Sequence, residues 1–313
     1  MEPLECSPFD YLVSREEFDA EMAKQLPGVE VQPRVGLGLG PVVLDDADDI
    51  AELRTDPGLY GGSWVGGLPT ERTPWPTTAD GANALPFVMQ LDFADTFNNV
   101  GDWRYPEGAP QSGTLAFFHD TTSLGDPEDT AQDRPWRFVW SDLPLEAGDE
   151  TPALLPAPGN VDADLLAPQT PLDIDAIVTL PEPFNAELPD EALREKYHSV
   201  VEEFEYDAWA RIKRVAAPSP ATHPGDADFV VEERMSRFLG WGACEDREDQ
   251  LAPVLEALGT SDRSELVLLL ELNPRTFENP GWFHGHPLQV WIRAEDFTAK
   301  DFSNTWCLVR TDC

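Results

Sequence analysis

Two of the five histidines stand close together, as His284-Gly285-His286. On a strand, positions i and i+2 share one face, and metals accept such pairs. A third ligand must come from elsewhere, and His119, at the end of an earlier apolar run, is the candidate. The competing expectation is a polar turn between Trp282 and Leu288. The turn is the simpler use, so no metal is expected. Asp92 and Glu271 lie in two apolar runs, PFVMQLDF and LVLLLEL. Paired carboxylates serve glycosidases and other acid–base enzymes. With His284 and His286 they form the catalytic alternative, a hydrolase-type cleft. Among 59 acidic residues, two well-placed carboxylates carry little weight by themselves.

Aromatic residues say more about binding. The segment Gly62–Pro76 holds Trp64, Gly66, Gly67, Pro69 and Trp75. Gly and Pro shape a loop closely, and Trp is enriched where partners are anchored. Trp241 and Trp291 extend this candidate binding set. Arg293 joins it because a guanidinium can hold a carboxylate through two parallel bonds. The competing uses are core packing for the tryptophans and an ion pair with Glu295, Asp296 or Asp301 for Arg293.

No cofactor is expected. Gly36–Gly40 reads GLGLG, without the spacing of a dinucleotide loop, and the helix expected over residues 45–54 opens on acids that repel phosphate. Neither a P-loop nor a nucleophile elbow occurs. Cys6, Cys244, Cys307 and Cys313 are scattered, with no pair at zinc or dithiol spacing, which suits free thiols in a reducing cytoplasm. The formal net charge of -38 disfavours nucleic acid and anionic membranes as partners and favours a basic protein. The longest apolar run, Leu266–Leu270, is far too short to span a bilayer, and the first residues lack a signal-peptide pattern. Only 4 Lys accompany 17 Arg. That composition suits a high-salt cytoplasm as well as an acidic binding face.

These residues need a scaffold. Ser14–Gln25 reads as a helix, and Val29, Val31, Val35, Val42 and Val43 suggest short strands. Strands are expected at Pro86–Phe93, Gly113–His119, Trp136–Trp140, Ala176–Leu180, Leu266–Leu272, Pro287–Arg293 and Trp306–Val309. Residues 143–189 are crowded with Pro and read as an extended excursion. Asp190–Val215 has apolar residues at helical spacing, and Leu251–Leu258 is a short helix stopped by Gly259.

Two stretches also resemble each other. Phe87–Trp103 reads FVMQLDFADTFNNVGDW, and Val267–Trp282 reads VLLLELNPRTFENPGW. Leu91 aligns with Leu272, Gln90 with Glu271, and Thr96-Phe97 with Thr276-Phe277. Each block leads to another apolar run. The fold class expected is α+β: a mixed or antiparallel β core with an internal duplication of strand–turn–strand units, flanked by helices. Residues 60–313 form one domain, with residues 1–59 packed on it.

The order of motifs resembles the YwqG-like family, a bacterial domain family of unknown function. GSWVGGLPTERTPWP at 62–76 is similar to its opening, and GTLAFFHD at 113–120 to a following strand. RFLGWG at 237–242, LVLLLEL at 266–272 and LQVWIRAEDFTAKDFSNTW at 288–306 resemble its later segments. Ser236 stands where the family often has His, and Arg310 stands near its late Gln, so a site built on those groups is not implied here. The resemblance implies a single soluble α+β domain and no particular activity. The expected function is therefore a non-enzymatic, immunity-like or regulatory protein whose acidic surface suits a basic protein partner.

Overall fold

The computed structural model describes residues 15–42, 62–100, 105–126, 134–143, 145, 153–181, 188, 190–201, 236–242, 251–277 and 281–311. The helix expected over 45–54 and the end of the one expected over 190–215 lie outside these residues. In chain order the elements are α1 (Arg15–Gln25), β1 (Arg34–Pro41), β2 (Trp64–Val65), β3 (Phe87–Asp92), α2 (Phe93–Val100), β4 (Thr114–His119) and β5 (Trp136–Ser141). They continue with β6 (Thr170–Thr179), α3 (191–201), β7 (Ser236–Phe238), α4 (Ala252–Leu258), β8 (Leu266–Leu272), β9 (Leu288–Arg293), α5 (Ala294–Thr298) and β10 (Thr305–Val309).

The strands form one ten-stranded sheet in the order β10-β9-β8-β7-β1-β6-β2-β3-β4-β5. Every neighbouring pair is antiparallel. The sheet curls until its two outer strands approach. Trp136 of β5 donates its indole N–H to the carbonyl of Thr305 in β10 at 3.3 Å, and its ring meets Trp306 edge-on at 5.3 Å. Arg134 reaches the carbonyls of Ser303 and Thr305. The result is nearly a barrel, an α+β architecture.

Alternation along the strands fixes the interior. Met89, Leu91, Leu115, Phe117 and Phe138 from one side meet Phe238 and Leu270 from the other around a small apolar cavity. β3 and β4 are buried on both faces, so their sequences read as continuous apolar runs rather than alternating ones. A second layer covers their outer face: Trp64, Phe87, Ala116, Phe118 and Leu145 pack with Trp75 and Leu154. α1 and α3 pack on the end of β6 through Met22, Leu26, Tyr197 and Val201, and the Tyr197 hydroxyl donates to the carbonyl of Pro181.

Three elements differ from the sequence reading. ADTFNNV, read as a turn, is helix α2: Asp92 Oδ1 accepts the N–H groups of Ala94 and Asp95 and so caps its first turn. The strand expected at Ala176–Leu180 is longer, because Pro171 sits at the start of β6, where its missing N–H costs little. Val35 and GLGLG of the N-terminal segment make a single central strand, β1, between β6 and β7, while Val29, Val31 and Val42 lie outside it and Val43 lies outside the described residues. α4 ends at Gly259 as expected, with φ 69°.

Candidate functional site

Two places in the fold concentrate polar chemistry. The first is a row across β7, β8 and β9. Arg237 lies level with Glu271, and Glu271 with Gln289. All three are buried, as is Arg310 beyond β10. Gln289 is the hub. Its amide nitrogen donates to Glu271 Oε2 at 3.0 Å, and its oxygen accepts from Arg310 at 2.8 Å and from the Trp291 indole at 3.3 Å. Arg237 donates to the carbonyl of Trp241 at 3.0 Å. A Cβ at Gly242 would stand 2.6 Å from the Gln289 nitrogen, so a larger residue there would push into the row. Trp241 is fixed from three directions. Its backbone N–H donates to Thr179, its indole donates to the Gln32 carbonyl, and the Arg34 guanidinium lies 3.7 Å over its ring. Burial pushes the Arg34 pKa down.

The second place joins two turns. Thr121 N–H donates to Nδ1 of His119 at 2.8 Å. Nδ1 is therefore an acceptor and the ring proton is on Nε2, so Asp120, 3.3 Å from Nδ1, is a neighbour and not a hydrogen-bond partner. The His119 ring is fully buried, stacked on Trp136 and met edge-on by Phe283. Asp120 accepts from Thr122 N–H, Ser123 N–H and the Ser123 hydroxyl. Burial pushes its carboxyl up, but the hydroxyl and backbone donors of Ser123 counter this and hold it below the usual range. Phe283 N–H donates to the Thr121 carbonyl at 2.9 Å, and His284 Nε2 lies 3.0 Å from the Thr122 carbonyl. Thr121, Phe283 and His284 all have positive φ, three of the five such non-glycine residues among those described. Unusual backbone of this kind gathers where structure is over-determined.

The structure thus brings His119 to the His284 turn, but His119 Nδ1 and His284 Nε2 both face backbone groups. His284-Gly285-His286 is the polar turn, not a strand, and among the described residues no three His, Cys, Asp or Glu side chains gather as metal ligands. Asp92 and Glu271 are kept apart. Leu91 and Leu270 line the same cavity, so their neighbours Asp92 and Glu271 point outward on different sides of the interior. Asp92 Oδ2 accepts the N–H of Leu145 at 2.5 Å, and burial pushes its carboxyl up. Trp64 and Trp291 are buried, Trp75 is half-buried against Phe118, and the indoles of Trp64 and Trp75 donate to the carbonyls of Leu68 and Leu85. Gly66 and Gly67 turn with φ 69° and 68° beside residues 167–169, and Pro69 accepts from Leu155. Arg293 pairs with Glu295 at 2.7 Å and Asp296 at 2.8 Å.

The sequence reading missed Gln289 and Arg237 as partners of Glu271. Part of the signal was there: LVLLLEL and LQVWI each hold a single polar residue inside an apolar strand.

The sequence pattern of a family described as a domain of unknown function (DUF1963) matches residues 63–313, from the start of the Trp64 segment through β10. The chain belongs to that family. A comparison with curated proteins gives no match. Among the described residues of this DUF1963 protein, no helix is long and apolar enough to cross a membrane.

Proposed function

We propose that this protein is a non-enzymatic, cytoplasmic binding protein that takes a basic protein partner, in an immunity-like or regulatory role. The observation that carries the reading is the exposed acidic excess. Glu30, Glu71, Glu107, Asp162, Asp190 and Glu256 are exposed. Among the described arginines several are engaged by the fold itself, while Arg72 and Arg275 stay exposed. Arg237 and Arg310 are buried, Arg34 lies on Trp241, and Arg137 donates to the carbonyls of Arg134 and Trp136. With only 4 Lys and 17 Arg against 59 acids, the surface carries a large acidic excess. Such a field steers a basic partner and repels acidic ones.

The test is capture on the immobilised full chain, followed by titration of the recovered partner at two salt concentrations. The partner is expected to be basic, and its Kd to weaken by about tenfold or more between about 0.05 and 0.5 M KCl. An acidic partner, or a Kd indifferent to salt, rejects the reading.

We also infer that the fold arose by internal duplication, as in a YwqG-like ancestor with two equivalent halves. β3 and β8 carry a bulge at the same place, Val88 and Leu269, two residues before Gln90 and Glu271. Gly66 N–H donates to the Val88 carbonyl, and Leu239 N–H to the Leu269 carbonyl. Asp92 N–H donates to Ser63 Oγ and Asn273 N–H to Ser236 Oγ, both at 2.9 Å. On this reading β1 and β6 are the first strands of the two halves and are exchanged, since β2 pairs with β6 and β7 with β1.

A further inference from the structure

We propose that the stability of this fold is set by the repulsion among its own surface carboxylates, so that it tightens when cations, or a basic partner, screen them. The inference uses the same acidic excess as the proposed function, but it does not depend on a partner existing. With a formal net charge of -38 on 313 residues, each added carboxylate meets a field already negative. Few ammonium groups offset it, and Arg137, Arg237 and Arg310 are held by carbonyls and by Gln289 of the Glu271 row rather than by surface acids. Exposed pairs that salt weakens do exist, such as Lys300–Asp142 at 3.5 Å and Arg194–Glu191 at 3.1 Å. Each such pair contributes little, so screening the general repulsion dominates. Repulsion between exposed charges reaches about 10 Å at 0.1 M salt and only about 3 Å at 1 M. The core offers no charge to screen: the interior between β3, β4, β5, β7 and β8 is lined by apolar side chains. Screening and partner binding therefore work in opposite directions with salt. Salt raises the melting temperature and weakens the partner.

The experiment is thermal unfolding of the full chain across a KCl series, beside a variant carrying Glu30→Gln, Glu107→Gln, Glu195→Gln and Glu256→Gln. These four side chains are exposed. The natural chain is expected to gain about 10 °C in Tm between about 0.05 and 1 M KCl. The variant is expected to start higher and gain less. A flat or falling Tm in the natural chain overturns the proposal. So does an equal gain in the variant, which would make the effect one of salt on apolar burial. Either failure leaves the partner titration to be judged on its own result.

Discussion

The strands β2 to β5 on one side of the central pair and β7 to β10 on the other follow one pairing order, yet they treat equivalent rows differently. On the first side the row reads Trp64, Gln90, Ala116, Val139, and it is covered by an aromatic layer with Trp75 and Leu145. On the second it reads Arg237, Glu271, Gln289, Leu308, joined at its end by Arg310. One backbone plan thus supports both an apolar cover and a buried polar network. The plan is set by bulges, strand lengths and turns, while the chemistry of a face is free to change if its cover changes too. A buried polar row holds only while its members satisfy one another. An apolar cover holds by area alone.

The largest effect is expected on the apolar side. Trp64 is only 1% exposed. Trp64→Ala should cost about 3–5 kcal/mol in denaturant unfolding. A loss below about 1 kcal/mol with weakened partner binding would return Trp64 to the anchor role its loop suggested. On the polar side Gln289→Ala removes one hydrogen bond each from Glu271, Arg310 and Trp291. The expected cost is about 3 kcal/mol, from desolvated groups that lose a partner. A neutral result would mean that the second side tolerates the alanine found at the matching position of the first, and the contrast between the faces would lose its energetic basis.

The reverse exchange sharpens the point. Ala116→Gln places the second side's hub among Trp64, Phe118 and Leu145. It brings both extra volume and an amide without partners, and about 2 kcal/mol of destabilisation is expected. Combined with Gln289→Ala, the losses should add, because the two rows share no partner. Thermal scans of the two single variants and the double variant measure this directly.

Much of the scaffold was legible in the sequence because β3, β4, β8 and β9 are apolar runs bounded by turn residues, and Gly259 marks a helix end. β1 was harder. Its GLGLG has no side chains with which to show a period, and its place between β6 and β7 depends on residues far along the chain. The Trp64 loop read as a groove because Gly, Pro and Trp shape grooves and plugs alike; only the cover over β3 and β4 decides between them. The polar row was half visible. Glu271 stood out, but Gln289 and Arg237 become its neighbours only through register, which no local pattern specifies. His119 and the His284 turn were paired in the sequence reading through the matching of two strands, and they do meet. What the sequence could not indicate is that backbone groups occupy Nδ1 of His119 and Nε2 of His284.

The smallest expected effect comes from two carboxylates on the same side that should respond to pH with opposite signs. Asp120 has its carboxyl held low in the folded chain by its donors. Its contribution is present above the ordinary carboxyl range, near pH 3.9, and is lost as the pH falls through the lower folded value. Asp120→Asn keeps an acceptor for Thr122 and Ser123 and loses the charge. It should cost about 1 kcal/mol at neutral pH and less at pH 3. Asp92 is the reverse. Burial raises its carboxyl above the unfolded value, so the folded chain binds the proton first and this residue's contribution improves as the pH falls. The comparison of natural chain and Asp92→Asn should therefore shift in favour of the natural chain on acidification, while the Asp120→Asn comparison shifts against it. Denaturant midpoints at pH 7, 5 and 3.5 read both slopes. Slopes of equal sign would mean that Asp92 is wetter than its strap to Leu145 implies, and that the cover over the first side is looser than the polar row of the second.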